Sequence, residues 1–145
     1  MEAAMDRPAL QRWLDAYVEA WRSNDATAIG ELFTADAEYR YHPSEEPVFG
    51  RDAIITSWLD EPDEPGTWDA WYEPFAVEGD RGVAIGVSTY FDADRKPERV
   101  YDNVFVMEFD MRGRCKVFTE WFRQRPQLGS GAAAGLASGP TPGSG

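Results

Sequence analysis

The chain has 145 residues and a mass of 16.3 kDa, which is the size of one domain. Its 26 acidic and 14 basic residues give a formal net charge of −12. That charge argues against nucleic acid and anionic membranes as partners, because both are bound through clustered Lys and Arg. One Cys and one His exclude a disulfide within the chain and a zinc site with several such ligands. A carboxylate site for Mg²⁺ or Ca²⁺ is not excluded in this way, but no loop has the D-x-D-x-D-G spacing, and no metal is expected.

A long helix is predicted first. Pro8 suits its first turn, and apolar residues follow at spacings of three and four, which is typical of one buried helix face. These residues are Leu10, Trp13, Leu14, Tyr17, Val18 and Trp21. Asn24 or Asp25 can cap a second, short helix that carries Ile29, Leu32 and Phe33 on one side.

A single strand and a third helix come next. The alternating segment Ala37–His42 predicts the strand, which Pro43 ends. The third helix opens at Gly50 and holds Ile54, Ile55, Trp58 and Leu59, and an acidic loop over residues 60–66 follows it.

From Trp68 onward the apolar pattern has a period of two, which predicts four long strands joined by turns. They are Trp68–Val77, Gly82–Phe91, Arg99–Phe109 and Arg114–Arg123. Helices that precede an antiparallel meander define the α+β class.

The end of the chain differs in composition from the rest. Residues 129–145 are rich in Gly, Ala, Ser and Pro, and they carry no charge. We expect a folded domain over residues 1–128 and a flexible tail after it. The N-terminus lacks the pattern of a secretory signal, and with one unpaired thiol this favours a cytoplasmic protein.

Three segments carry a more specific pattern: LDAYVEAWRSNDATAIGELFTADAEYRYHP, FGRDAI and GRCKVFTEWF. With their spacing, the chain resembles the nuclear transport factor 2-like superfamily over residues 9–126, and within it the SnoaL-like, polyketide cyclase-like branch. The resemblance implies a cone-shaped, cystatin-like roll in which three N-terminal helices pack on a strongly curved, mostly antiparallel sheet around a pocket. Members are often dimers through the convex sheet face, so a homodimer is expected. The superfamily includes enzymes and binding domains, so the fold alone does not decide the chemistry.

Ketosteroid isomerases of this superfamily use a helix Tyr, a general-base Asp on the first strand and a protonated Asp on a later strand. The resemblance carries these positions onto Tyr17, Tyr41 and Phe105. Tyrosine, with an ordinary pKa of about 10, does not abstract a carbon-bound proton at neutral pH, so steroid isomerisation is rejected. Dehydratases of the scytalone type need several pocket histidines, and epoxide hydrolases need an Asp-Arg-Asp cluster. The sequence offers neither.

Hairpin pairing predicts which side chains share the pocket. If Asp110–Gly113 is a turn, three cross-strand pairs lie on one face, because side chains in a strand alternate. The pairs are Asn103 with Glu120, Phe105 with Phe118, and Tyr101 with Phe122. The resemblance places the Phe105 position on the concave face. The turn between Glu78 and Arg81 then extends the concave row to Trp71, Ser88, Asn103 and Glu120, unless a bulge inverts part of it.

Glu120 is the candidate acid/base, because aromatic walls disfavour the charged form of a carboxylate while Asn103 can donate to it. The resemblance supports this role, since SnoaL-like cyclases are thought to use a single pocket carboxylate. Tyr17 and His42 are candidate proton donors or oxyanion stabilisers. The predicted pocket lining comprises Trp71, Ser88, Phe105, Tyr41, Trp58, Phe118, Phe122 and Tyr101. No cofactor is expected.

Three functions remain open at the level of sequence. The first is a cofactor-free enzyme of the isomerase, cyclase, dehydratase or hydrolase type, acting on a hydrophobic or polycyclic molecule through Glu120. The second is a domain that binds such a ligand without catalysis. The third is a partner-recognition module that uses the convex sheet or the tail. Each site residue also has a structural alternative, such as Glu120 tied to Asn103 or Arg40, Tyr17 in the helix core and His42 in solvent.

Overall fold

The structure is a computed structural model that describes residues 5–126 and residue 142. Within residues 5–126 it contains three helices and six strands. In chain order they are α1 (Arg7–Ser23), α2 (Ala26–Gly30), β1 (Phe33–Arg40), β2 (Val48–Phe49), α3 (Arg51–Asp60), β3 (Trp68–Glu78), β4 (Arg81–Phe91), β5 (Pro97–Phe109) and β6 (Cys115–Gln124). The predicted tail, apart from residue 142, lies outside the described residues.

The first helix has the ends that its sequence predicts. Asp6 caps the N-terminus by accepting a hydrogen bond from the Ala9 amide, and Pro8 lies in the first turn. Asn24 ends the helix in the left-handed conformation, with its amide bonded to the Ala20 carbonyl. The predicted apolar stripe is the buried face of α1, with the exception of Val18, which is half-buried.

The region between α1 and α3 differs from the prediction in the bounds of its elements and in one additional strand. Asp25 caps α2 as expected, but the helix ends at Gly30, and β1 already begins at Phe33. Phe33 pairs in parallel with Cys115 of β6, a partner more than eighty positions away that local periodicity does not reveal. The two-residue strand β2 was not predicted.

The six strands form one curved, unclosed sheet in the order β2-β1-β6-β5-β4-β3. All neighbouring pairs are antiparallel except β1 with β6. Helices that precede a mostly antiparallel sheet confirm the predicted α+β class, and the four long strands lie within two residues of their predicted bounds.

Aromatic side chains fill the space between α1, α3 and the inner face of the sheet, which is the face that these helices cover. Tyr17 of α1 lies at its centre, with six aromatic rings at centroid distances of 5.2–6.5 Å. These rings belong to Trp13, Trp21, Trp58, Tyr72, Phe105 and Phe118. The opposite side of the sheet is called the outer face below.

The first helix also covers the edge of the sheet at β3. The Arg7 guanidinium donates to the Pro74 carbonyl at 2.8 Å, and the Gln11 amide donates to the Tyr72 carbonyl at 3.2 Å. Pro74 has no amide hydrogen to offer another strand. This edge therefore presents few free backbone groups for pairing with a second sheet.

Candidate functional site

The centre of the candidate site is a relay of three buried polar side chains on the inner face of β4, β5 and β6. The Ser88 hydroxyl donates to Asn103 Oδ1 at 3.1 Å, and Asn103 Nδ2 donates to Glu120 Oε2 at 2.7 Å. Glu120 is 0% exposed, Ser88 is 0% exposed and Asn103 is 2% exposed. The two bonds fix the amide orientation, because Ser88 supplies the hydrogen that Oδ1 requires.

Glu120 is the only charged side chain among residues 5–126 that is fully buried. A carboxylate loses its hydration when it is buried, and the neighbouring amide recovers only part of that energy. Buried carboxylates held by a donor and surrounded by apolar walls are common at functional sites. The described part of the structure therefore has one fully buried carboxylate, that of Glu120, in an aromatic interior, and the burial of this group opposes folding.

Phenol groups surround this carboxylate. The Tyr17 and Tyr39 hydroxyls share a hydrogen bond of 2.9 Å, and the Tyr41 hydroxyl bonds to Ser57 Oγ at 2.6 Å. Burial is the largest cause that raises the pKa of Tyr17, Tyr39, Tyr41 and Tyr72, and the charge of Glu120 raises each of them further. These tyrosines remain protonated, so they can donate hydrogen bonds but cannot act as bases.

Two indole N–H groups and one tyrosine hydroxyl in the same interior form no hydrogen bond of ordinary length and angle in the part of the chain that the structure describes. They are Trp58 Nε1, Trp68 Nε1 and the Tyr72 hydroxyl. Each side chain is at most 5% exposed, so water does not satisfy them freely. Unpaired buried donors are rare in folded proteins, and each calls for a physical reason.

The acidic loop between α3 and β3 is anchored at one end of this interior. Asp63 Oδ2 accepts from Trp21 Nε1 at 3.1 Å and from the Tyr90 hydroxyl at 3.5 Å. Asn24 Nδ2 donates to the Asp63 carbonyl at 3.3 Å. Burial raises the pKa of Asp63, although these hydrogen bonds and the nearby Arg99 act in the opposite direction.

A model of the SnoaL-like domain matches residues 14–118 of the sequence. The chain belongs to the SnoaL-like family. The predicted family resemblance is thereby confirmed, and this SnoaL-like protein has the nuclear transport factor 2-like fold.

Two solved structures illustrate that fold. The first is an NTF-2-like protein of unknown function from Burkholderia xenovorans LB400, with 21% identity and a TM-score of 0.60 over 79% of this chain and 83% of that one. The second is an NTF2-like protein of unknown function from Cytophaga hutchinsonii ATCC 33406, with 16% identity and a TM-score of 0.55 over 78% of this chain and 98% of that one. No curated protein gives a significant match.

Most of the predicted site residues of the SnoaL-like protein lie in the interior. Buried residues are Glu120, Asn103, Ser88, Tyr17, Trp58, Tyr101, Phe105 and Phe118, and half-buried residues are Tyr41 and Phe122. The predicted contact between Asn103 and Glu120 forms, although their backbone partners are Phe122 and Phe105. Relative to the predicted pairing of Phe109 with Arg114, one register shift occurs at the turn and a second between Glu108 and Phe109. Together they move the pairing by two residues, so each side chain stays on the face that was predicted for it.

Two predicted positions differ in the structure. Trp71 lies on the outer face with 53% of its surface exposed, because a bulge at Phe75 inverts the face of every earlier residue in β3. His42 is exposed beyond the end of β1, where Nδ1 bonds to Ser44 Oγ at 3.0 Å and the ring contacts Phe122. The structure does not bring His42 into the relay.

Two interior residues were missed by sequence reasoning. Tyr39 shares the face of Tyr41 by strand alternation, so the period of two was a usable signal. Tyr72 lies on the inner face opposite Gly86, while Ala70 takes the place opposite Ser88 that was assigned to Trp71. Pro74, which disfavours regular pairing, was the available indication of a bulge nearby.

The described residues show neither a metal site nor a membrane-spanning helix. Across residues 5–126, no three His, Cys, Asp or Glu side chains come together in an arrangement that could hold a metal ion. None of the three helices described is long and apolar enough to cross a membrane.

Proposed function

We propose that this protein binds a small, largely apolar molecule in its interior and that Glu120 exchanges a proton with that molecule without a cofactor. The observation that carries the proposal is the fully buried Glu120 carboxylate held by Asn103. A core that served only for packing would gain stability from an apolar side chain at this position, because burial of the carboxylate opposes folding. A role in acid/base chemistry gives a reason for its presence.

The division of roles follows from the chemistry of the neighbouring groups. The surrounding tyrosines stay protonated, so in this proposal Glu120 is the group that exchanges the proton. Asn103 orients the carboxylate, and Ser88 orients Asn103. Tyr17 and Tyr39 act as hydrogen-bond donors toward charge that develops on the ligand.

The position of Glu120 also bears on the comparison with isomerases. Phe105 occupies the position to which the resemblance carried an isomerase Asp, and Glu120 is its direct partner on β6. In this proposal, the carboxylate reaches the interior from the neighbouring strand. Isomerisation, cyclisation, dehydration and hydrolysis all require such a group, and we propose this range of reactions rather than one of them.

The first test is native mass spectrometry of the protein purified from its own host, which detects a retained small molecule directly. The identified molecule is then offered to the unaltered protein and to Glu120→Gln. The proposal predicts binding by both proteins and a loss of turnover of at least about 100-fold in the variant. Glu73→Gln, which changes an exposed carboxylate on β3, is the matched control. Unchanged turnover in Glu120→Gln would rule out the acid/base role.

A second candidate function is that of a non-catalytic, dimeric domain. It rests on an apolar outer patch, which we define as Val104, Val106 and Trp121, with exposures of 37–45%. Val104 and Trp121 are cross-strand partners at the middle of the outer face. We propose that a second copy of this chain covers the patch, in the cytoplasm, whether or not the interior is catalytic. Ligand binding without turnover, together with a stable dimer, would favour this function.

A further inference from the structure

Tyr72 lies on the inner face of β3 because the chain makes two local adjustments. The bulge at Phe75 turns Tyr72 inward, and the glycine opposite it on β4, Gly86, leaves space for the ring. A Cβ atom at position 86 would collide with Tyr72 Cδ1 and with the Trp71 carbonyl. The Tyr72 ring then packs 4.5 Å from Phe105 and 5.9 Å from Tyr17.

The Tyr72 hydroxyl differs from the other phenols around the site. Tyr17 bonds to Tyr39, Tyr41 to Ser57 and Tyr90 to Asp63. The Tyr72 hydroxyl forms no hydrogen bond of ordinary length and angle among the described residues, although the Ser88 side chain is near enough to lower its pKa. Only 5% of the side chain is exposed. A buried hydroxyl without a partner opposes folding, and a phenylalanine of the same shape would not have this disadvantage.

The sheet register places this hydroxyl beside the relay. Tyr72 pairs with Gly86 on β4, and Gly86 pairs with Asn103 on β5. Phe105, which the Tyr72 ring contacts, is the direct partner of Glu120. The charge of Glu120 acts on Tyr72 more strongly than any other charge does. The phenol and the carboxylate therefore belong to the same polar region.

We infer that the Tyr72 hydroxyl donates a hydrogen bond to a neutral acceptor oxygen of the ligand, such as a ketone carbonyl. This inference rests on the proposed function, because it requires a ligand beside Glu120. A ligand with its own negative charge is disfavoured, since the buried carboxylate would repel it. The ligand class is thus an apolar molecule with an uncharged carbonyl group, bound between Tyr72 and Glu120.

The first arm of the test measures stability without any ligand. Tyr72→Phe removes only this hydroxyl, which forms no hydrogen bond of ordinary length and angle, so we expect its melting temperature to rise by roughly 2–4 °C. Tyr39→Phe is the control, because it removes a hydroxyl that is bonded to Tyr17, and its melting temperature should fall. A lower melting temperature for Tyr72→Phe would mean that the hydroxyl has a structural partner, and it would overturn the inference.

The second arm measures binding of two matched pairs of compounds by quenching of tryptophan fluorescence. The pairs are 2-acetylnaphthalene with 2-ethylnaphthalene, and acetophenone with ethylbenzene, which differ in the carbonyl oxygen. Tyr72→Phe should weaken binding of the ketones by about 10-fold and leave binding of the hydrocarbons unchanged.

The outcomes separate the two proposals. If the ketones and hydrocarbons bind and Tyr72→Phe affects them equally, Tyr72 is not the donor, while the proposed binding function stands. If the unaltered protein binds none of the four compounds, the proposed function fails and the donor assignment fails with it. A selective loss of ketone affinity in a variant with a raised melting temperature is the result that supports the inference.

Discussion

Asn103 donates a 2.7 Å hydrogen bond to Glu120 although the two residues are diagonal rather than direct partners across β5 and β6. The direct partners are Phe122 and Phe105, so the polar contact crosses between two aromatic residues. Diagonal neighbours on one face of an antiparallel pair lie within reach of long side chains. The contact is buried, so its removal has consequences for both groups.

Replacement of Asn103 by Leu should lower the free energy of unfolding by about 2–4 kcal/mol, because Glu120 loses a donor while it stays buried. Urea denaturation measures this loss. The double variant Asn103→Leu with Glu120→Leu should recover at least about 1 kcal/mol, since the donor and the acceptor of the buried bond are then removed together. Losses that simply add in the double variant would show that the two side chains are not coupled.

Gly86 makes the second testable contribution to the interior. Gly86→Ala should lower the free energy of unfolding by more than about 3 kcal/mol, because the added Cβ would meet the Trp71 carbonyl and the Tyr72 ring. Gly82→Ala is the matched control on the same strand, since the nearest atom there is the end of the Leu10 side chain at 2.9 Å. That side chain can move, so a loss of about 1 kcal/mol or less is expected. Equal losses in the two variants would contradict the close approach at Gly86.

The contrast between Trp71 and Tyr72 defines how far the sequence determines the site. The turn at Glu78–Arg81 was predicted, and the pairing from Glu78 to Ala76 follows it. Beyond Phe75 the bulge exchanges the two faces, so Tyr72 lies inside and Trp71 lies outside. Both residues are large aromatics, so neither composition nor period two favours one over the other without knowledge of the bulge.

The pair formed by Asn103 and Glu120 was predictable for a different reason. Two register shifts in the hairpin of β5 and β6 leave the faces unchanged, so alternation alone placed both residues inside. The start of β1 at Phe33 was not predictable in this way. It depends on parallel pairing with Cys115, which is set by the assembled sheet and not by the local sequence.

The anchoring of the acidic loop predicts a dependence on pH. Burial raises the pKa of Asp63 above its ordinary value, so the folded state holds the proton more tightly than the unfolded state does. The unfavourable effect of Asp63 on folding is therefore smallest below its unfolded pKa of about 3.9. It grows as the pH rises from that value through the raised pKa of the folded state. Asp63→Asn keeps an acceptor for Trp21 and Tyr90 but does not titrate.

The difference in unfolding free energy between Asp63→Asn and the unaltered protein should thus shift in favour of the variant as the pH rises from about 3.5 to 7. Urea denaturation over that range measures it. Asp94→Asn, in the exposed turn between β4 and β5, is the control and should show no such trend. A trend of the opposite sign would mean that the hydrogen bonds from Trp21 and Tyr90 outweigh the effect of burial.

The outer patch predicts the oligomeric state. Burial of Val104, Val106 and Trp121 against a second copy would remove apolar surface from water, and sedimentation equilibrium at micromolar concentration should give twice the chain mass of 16.3 kDa. Val104→Lys places a charge at the middle of the patch and should yield a monomer with an unchanged melting profile at high dilution. Met111→Lys, which alters a residue 90% exposed in the turn after β5, should remain dimeric. A mass of 16.3 kDa for the unaltered protein, or a dimer that survives Val104→Lys, would show that the patch is not the interface.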